Sequence, residues 1–294
     1  MNFQHYPVMS KEVFTLIKDA KGKIVIDCTL GMGSHSYILL KELKDIRIIG
    51  IELDNDSIKI AKENLKEFKE RIETINIKFE DIPNYKNINW KNIRTIFVDS
   101  GISTYQLKSK EKGFSHTIES RLDMRKNKNI KIDAYQIINH FSQNEIENIL
   151  RDFGDVKVAK ALSKKIIERR LFKKIEKTIE LRELVENFYK WRPKQGKTSP
   201  AAKVFQALRI YINKETEELE NFINQVVKKL NKGARIIFLT YHSIEDKIVK
   251  NEFHKLKNNG FVRIIKPFPM LPTKEEIKVN PASRSARLRC VEVV

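Results

Sequence analysis

The sequence predicts an α/β fold, with a mostly parallel, Rossmann-like sheet, an antiparallel last strand and an inserted helical domain. Three observations predict it. Strand-length apolar runs alternate with helical stretches over the first hundred residues, and the alternation then gives way to helix after helix. Apolar runs return near the end, and the last two have no helical pattern between them. A glycine turn, Gly31-Met32-Gly33, directly follows the first apolar run and opens a helical stretch.

Taken in order, Lys23-Ile24-Val25-Ile26 opens a buried strand over 23–28, and a helix follows over 34–44. A second strand at 46–52 precedes a helix at 56–71, where Ile58, Ala61, Leu65 and Phe68 form an apolar stripe at helical spacing. Further strands are predicted at 74–79 and 93–99. From 107 to 207 no strand is convincing, while 144–153, 156–170 and 179–188 carry apolar residues three and four apart. A long helix at 215–230 stops at Asn231-Lys232-Gly233, with glycine as the terminating residue. A strand at 234–241, a helix at 244–256 and strands at 261–266 and 287–293 complete the pattern. The expected division is a core of 1–106 plus 208–294, with 107–207 inserted as a lid and recognition domain.

Composition narrows the class. The 294 residues are 41% hydrophobic and 32% charged, which suits a water-facing globular chain. Apolar runs such as Ile236–Leu239 fall far short of the roughly 18 residues of a membrane span. With no basic n-region and apolar h-region at the start, a cytoplasmic protein is expected. Cys28 and Cys290 sit in apolar stretches and read as reduced core residues. The six histidines and two cysteines show no zinc-type spacing, and no G-x-S-x-G elbow occurs, so neither a metal site nor a serine nucleophile is expected. The 57 basic and 38 acidic residues leave a net charge of +19, which suits a polyanionic partner such as RNA. Lysine also accumulates on solvated faces of Lys-, Ile- and Asn-rich chains, so charge alone does not decide the matter.

The chemistry concentrates at strand ends. A strand, a glycine turn and a helix place backbone N–H groups where an electron-rich ligand can approach. Asp27, four residues before Gly31, suits the cationic amine of S-adenosylmethionine better than a pyrophosphate. Ser36 stands where the dinucleotide pattern wants a third small residue, which again disfavours NAD. Glu52, at the end of the second strand, can accept both ribose hydroxyls of an adenosine, or merely cap its strand. Asp99 ends the fourth strand, where amino-methyltransferases place a polar acceptor for a poorly nucleophilic exocyclic amine. The alternative is that Asp99 caps its turn. After the fifth strand, Ser243 can cap the next helix, which leaves His242 free as a second catalytic candidate.

Six blocks together resemble one family. They are Asp27–His35 (DCTLGMGSH), Gly113–Ser115 (GFS), Leu122–Arg125 (LDMR), Phe205–Ile210 (FQALRI), His242–Asp246 (HSIED) and Asn280–Leu288 (NPASRSARL). In this order they are similar to the bacterial ribosomal RNA small-subunit methyltransferase H, or MraW, family. The resemblance implies a class I S-adenosylmethionine-dependent methyltransferase with a helical insertion, acting on N4 of a cytidine in the decoding region of 16S ribosomal RNA. It places cofactor contacts at Gly33, Ser34 and His35, at Glu52, at Asp99 and at Gln106, with one more near Ile82, beside which Asp81 could meet the adenine amine. Gly31 and Asp27 complete the expected cofactor set. Tyr105, Phe114 and His242 are candidates for holding the unstacked base, and Arg125 and Arg284 for contacting the RNA. Lys157, Lys160 and Lys164 would form a basic ridge on the 156–170 helix, while Val158, Leu162 and Ile166 dock it.

Ile82 stands near where the family usually has a phenylalanine, and the chain departs from the family in four further places. Ser34 replaces the second glycine of G-G-H, and Glu52 replaces an aspartate. Ser103-Thr104-Tyr105-Gln106 replaces S-S-P-Q, and Glu119-Ser120-Arg121 replaces D-G-P. The rivals are methylation of DNA or another RNA base, a non-catalytic ribosome-assembly factor with a relic cofactor site, and a dehydrogenase.

Overall fold

The computed structural model describes residues 7–100, 113–126, 129–193 and 198–294. In chain order the main elements are α1 (Ser10–Lys18), β1 (Ile24–Asp27), α2 (Ser34–Glu42), β2 (Arg47–Ile51), α3 (Asn55–Asn64), β3 (Ile72–Ile75) and β4 (Ile93–Asp99). Next come α4 (Ala134–His140), α5 (Gln143–Gly154), α6 (Ala159–Phe172), α7 (Thr178–Phe188), α8 (Ala201–Asn213) and α9 (Glu215–Val227). Then follow β5 (Arg235–Thr240), α10 (Ser243–Asn258), β6 (Val262–Met270), α11 (Lys274–Val279) and β7 (Arg287–Val293). The chain forms two compact units, one of residues 1–101 with 216–294 and one of residues 102–215.

The first unit is built on a seven-stranded sheet of order β3-β2-β1-β4-β5-β7-β6. The first five strands in that order pair in parallel, and β7 pairs antiparallel with both β5 and β6. This is the class I methyltransferase arrangement, with the antiparallel strand expected from the sequence. Successive side chains of a strand face opposite sides. Ile26, Ile96, Val98, Ile236 and Phe238 therefore pack on one face with Phe222 of α9 and Phe253 of α10. Val25, Phe97, Ile237 and Leu239 pack on the other with Ile17 of α1 and Leu40 of α2. Helices on both faces explain why the central strands read as unbroken apolar runs.

Three expectations need correction here. The third strand lies at Ile72–Ile75 rather than 74–79, and residues 79–84 form 3-10 turns. Asn76 Nδ2 donates to the carbonyls of Glu52 and Leu53 at 3.0 and 2.9 Å, and the ladder ends at Ile75. The sixth strand continues to Met270. The connection to β7 contains a short helix, α11, started by Thr273, whose side chain accepts from Glu276 N–H.

The second unit is helical. Leu122, Ile137, Ile146, Leu150, Leu162, Ile166, Leu181, Val204 and Leu208 are fully buried in its core. Asp133 with Gln136, and Ser142 with Glu145, form capping boxes that start α4 and α5. This unit runs through all of α8, so the expected boundary at 207/208 falls inside a helix whose Val204, Phe205 and Leu208 belong to its core.

Candidate active site

The glycine turn is held from beneath. Asp27, the last residue of β1, is 1% exposed. Its Oδ1 accepts Thr29 N–H at 3.2 Å and its Oδ2 accepts Ser36 Oγ–H at 2.7 Å. Burial pushes its carboxyl above the ordinary range, against the opposing pull of the Ser36 hydrogen bond and His35. Ser36 thus fastens α2 to β1, a role its spacing did not reveal.

Gly31 and Gly33 both have positive φ, +52° and +84°, and Gly33 caps α2. They differ in surroundings. A Cβ on Gly33 would meet Leu65 Cδ1 at 2.8 Å, whereas one on Gly31 would find, among the described residues, only Thr29 O at 3.9 Å. Gly33 therefore lets α2 approach α3, and Gly31 is the less crowded of the two. Ser34, half-buried, is the first residue of α2.

Glu52 ties this turn to the next. Its Oε2 accepts Gly31 N–H at 3.1 Å, and its Oε1 accepts Leu53 N–H and Asp54 N–H, both at 2.9 Å. Among the described residues Oε1 is then saturated, while Oε2, the atom that touches Gly31, keeps one acceptor position.

At the tip of β4, Asp99 N–H donates to Thr29 Oγ1 at 2.8 Å. Tyr241, just past β5, donates its hydroxyl to Asp99 Oδ1 at 2.8 Å. The other oxygen, Oδ2, faces His35 Nδ1 at 3.7 Å. His35 Nε2 lies 3.0 Å from Val8 O, and a carbonyl only accepts, so Nε2 donates there and Nδ1 is the nitrogen presented to Asp99. Burial raises the Asp99 carboxyl above its usual range, with His35 and Tyr241 opposing. Its side chain nonetheless keeps 26% of its surface, compared with 1% for the whole of Asp27. Asp99 is thus the more open carboxylate of the two.

His242 does cap α10, contrary to the expectation that Ser243 would. Its Nδ1 accepts Glu245 N–H at 3.4 Å and its Nε2 lies 2.9 Å from Glu245 Oε1. Ser243 is instead the first residue of the helix. Behind it, Asp246 takes Arg289 in a bidentate pair at 2.6 and 2.9 Å, and Arg287 at 2.8 Å. Arg289 also lies over the Phe268 ring, 4.5 Å from its centroid. Asp246 of the HSIED block thus meets a half-exposed Arg287 of the NPASRSARL block and a buried Arg289 just beyond it, which holds α10 to β7. Arg284, in the 3-10 turn before β7, is exposed.

The remaining candidates separate. Ile82 is fully buried in the sheet core, beside an exposed Asp81. Tyr105 and Gln106 lie outside the described residues. Phe114, 6% exposed, packs in the core of the helical unit. Arg125 forks onto Asp123 at 2.7 and 2.8 Å and donates to Ile130 O at 3.0 Å, so it braces its own loop. The Glu119-Ser120-Arg121 turn is stitched to residues 176–178: Ser120 exchanges hydrogen bonds with Thr178, and Leu122 N–H donates to Glu176 O.

The basic ridge is shorter than expected. Asp155 adopts φ +48° and Val156 N–H closes α5 on Leu150 O, so α6 begins only at Ala159. Lys157 lies in the preceding turn, and Val158 is 40% exposed rather than docked. Leu162 and Ile166 dock as expected, and Lys157, Lys160 and Lys164 are all exposed. Among the described residues the groups that could hold a metal are none, and no helix is long and apolar enough to cross a membrane.

Known proteins resemble this chain over nearly its whole length. It is 41% identical to the ribosomal RNA small subunit methyltransferase H of Sulfurihydrogenibium sp. (strain YO3AOP1), covering 97% of this chain and 98% of that one. The protein of the same name from Persephonella marina is 39% identical over the same shares. That from Thermotoga neapolitana is 36% identical, covering 99% and 96%. The MraW methylase family matches residues 2–294, and the chain belongs to that family.

Proposed function

We propose that the protein transfers a methyl group from S-adenosylmethionine to N4 of a cytidine in small-subunit ribosomal RNA, in the decoding region. The observation that carries this is Asp99: an open carboxylate at the tip of β4, steadied by Tyr241 on one oxygen and faced by His35 on the other. The relatives' name supplies the RNA, and the N4 position is what the resemblance of the sequence blocks implies.

The residues of the sheet unit divide the work. Gly31 leaves room for the cofactor, and Glu52 Oε2 offers its free lone pair to a ribose hydroxyl. Bound there, S-adenosylmethionine supplies an electrophilic methyl group on a sulfonium. The exocyclic amine of cytosine is conjugated with its ring and is a weak nucleophile. A carboxylate accepting one of its N–H bonds raises its electron density as the N–C bond forms and the C–S bond breaks. The same carboxylate takes the proton that nitrogen then loses. Asp99 suits that role because its raised pKa makes the ionised carboxylate a stronger proton acceptor. Asp27 holds the turn from below. The helical unit recognises the RNA, with Lys157, Lys160 and Lys164 on phosphates. The strongly basic chain suits the ribosomal RNA or the small subunit as its substrate.

Mass spectrometry of 16S ribosomal RNA with and without the protein tests this reading. N4-methylcytidine should appear in the decoding region with the wild type and be lost with Asp99→Ala. Methylation at another base, or none with subunits and free RNA alike, would overturn it.

A further inference from the structure

The end of α6 carries two apolar side chains that no described residue covers. Phe172 is 90% exposed, the highest value among the described large hydrophobic residues, and Leu171 is 78% exposed. They lie within Arg169-Arg170-Leu171-Phe172-Lys173-Lys174, so the apolar pair is framed by cations. Scattered single hydrophobics are ordinary on a surface. An adjacent pair that includes an aromatic ring in a basic frame is not.

The frame is rigid. Arg170 Nη1 donates to Ile138 O at 2.8 Å, and Arg169 Nη1 to Lys173 O at 2.7 Å. Just beyond, Ile175 is fully buried and Asn139 binds both its N–H and its C=O, at 3.0 and 2.8 Å. Phe172 is therefore presented by a fixed helix end rather than a loose tail, which lowers the ordering cost of binding.

The charges continue along the same helix. Ala159, Leu162, Ser163 and Ile166 face the core. At about 100° per residue, Lys160, Lys164 and Leu171 fall within roughly 40° of one line on the opposite side. Lys160 and Phe172 are about 18 Å apart along the axis at 1.5 Å per residue. Glu168 is engaged by Lys165 and Glu180 by Lys173. Lys160, Lys164 and Lys174 enter no ion pair among the described residues. A membrane surface would want a wide apolar face, and here Leu171 ends the line of cations while Phe172 lies about 100° further round the helix, on the same exposed side. A π-face next to spaced cations fits a strand of alternating bases and phosphates.

We propose that the exposed face of α6 is a platform for unpaired RNA, with a base stacked on Phe172 and backbone phosphates along Lys160, Lys164 and Lys174. The identification of the nucleic acid as RNA rests on the methyltransferase reading above. No residue of the sheet-rim site takes part, so the platform governs RNA affinity separately from the chemistry.

The test is fluorescence anisotropy of the full-length protein with a labelled oligouridylate, which has no secondary structure. Phe172→Ala should weaken binding by about 5- to 100-fold, as stacking contacts do, without changing the salt slope. Phe172→Tyr should bind within about twofold of wild type. Phe172→Leu, which keeps an apolar side chain and loses the π-face, should behave like the alanine variant. Lys160→Gln with Lys164→Gln should lower the salt slope by about 1.4 units, at about 0.7 per phosphate of a single strand. The platform is overturned if Phe172→Ala or Phe172→Leu binds oligouridylate like wild type. It is also overturned if Phe172→Ala loses only binding to phosphatidylserine vesicles. Assaying N4-methylcytidine formation by the same protein preparations on 16S ribosomal RNA and small subunits separates the two proposals. A wild type that methylates these, alongside a Phe172→Ala that binds oligouridylate normally, sinks the platform alone. Phe172-dependent binding of oligouridylate by a wild type that leaves 16S ribosomal RNA and subunits unmethylated supports the platform and sinks the methylation reading.

Discussion

Tyr241 and Asp99, 142 residues apart in sequence, share a 2.8 Å hydrogen bond in which the phenol donates to the carboxylate. Strand pairing brings them together. β4 and β5 run parallel with Asp99 opposite Leu239, so the residue two beyond Leu239 returns to the same face at the next strand tip. The bond favours the ionised carboxylate, against the burial that raises its pKa.

Tyr241→Phe removes that donor and should push the Asp99 carboxyl further up. A protonated Asp99 cannot accept from the target amine, so the acid limb of the single-turnover rate should move to higher pH. Hydrogen bonds to charged groups are worth about 1.5–3 kcal/mol, which corresponds to a limb shifted by about one to two pH units. A pH–rate profile at saturating cofactor checks this, and the rate should recover at alkaline pH. An unmoved limb would detach Tyr241 from the chemistry.

Asp99→Asn keeps the size of the side chain but loses the base. It should fold normally, bind S-adenosylmethionine and lose at least about 100-fold in single-turnover rate, the lower bound for a general base. A wild-type rate would reduce Asp99 to a binding residue or turn cap.

Glu52→Ala should weaken S-adenosylmethionine by roughly 1.5–3 kcal/mol, measured by calorimetric titration. It should also lower stability, because three backbone N–H groups lose their acceptor. Glu52→Asp should be mild for affinity, and comparing thermal unfolding of the two variants without cofactor separates the effects. Unchanged affinity in Glu52→Ala would remove this residue from the site.

Asp246→Asn leaves Arg289, 3% exposed, without its counter-charge, and should cost about 3–5 kcal/mol in denaturant unfolding. Burial works to raise the Asp246 carboxyl, but the bonds from Arg289 and Arg287 outweigh it and hold it below the ordinary value of 3.8. A depressed carboxyl stabilises the fold above its unfolded pKa. The contribution is therefore complete at neutral pH, and disappears as pH falls below 3.8 and through the folded pKa. The variant should show a flatter acid limb of stability than wild type.

Replacing Lys157, Lys160 and Lys164 together with glutamine should lower the salt slope of RNA binding by about two to three units if each meets a phosphate. S-adenosylmethionine affinity, read by calorimetry, should stay where it was. An unaltered slope would make the three lysines a solvated face.

The sheet was legible because its central strands are buried on both sides, and Ile24–Asp27, Ile93–Asp99 and Arg235–Thr240 consequently carry continuous apolar runs. The glycine turn and Glu52 were legible because their spacing is local. Tyr241 was not, since its partner is set by strand order, which periodicity does not encode. Ser36 read only as a failed dinucleotide glycine, although its hydroxyl holds Asp27. The start of α6 was misplaced by three residues because the left-handed Asp155 leaves no signal in hydrophobic pattern. The end of α6 also lies two residues later than expected, at Phe172, which puts the exposed pair on the helix.

The position of β7 between β5 and β6 sets the order in which this protein can be completed during synthesis. Both neighbours leave the ribosome before residues 287–293 do, so until then β5 has an unpaired edge and β6 has no strand to join. The helical unit, residues 102–215, lies wholly upstream of all three and closes on contacts of its own. Vectorial synthesis therefore finishes the insert first and assembles the second half of the sheet afterwards. A chain cut before Arg287 would keep a bare, fully buried-type strand at its margin, open to pairing with the next molecule.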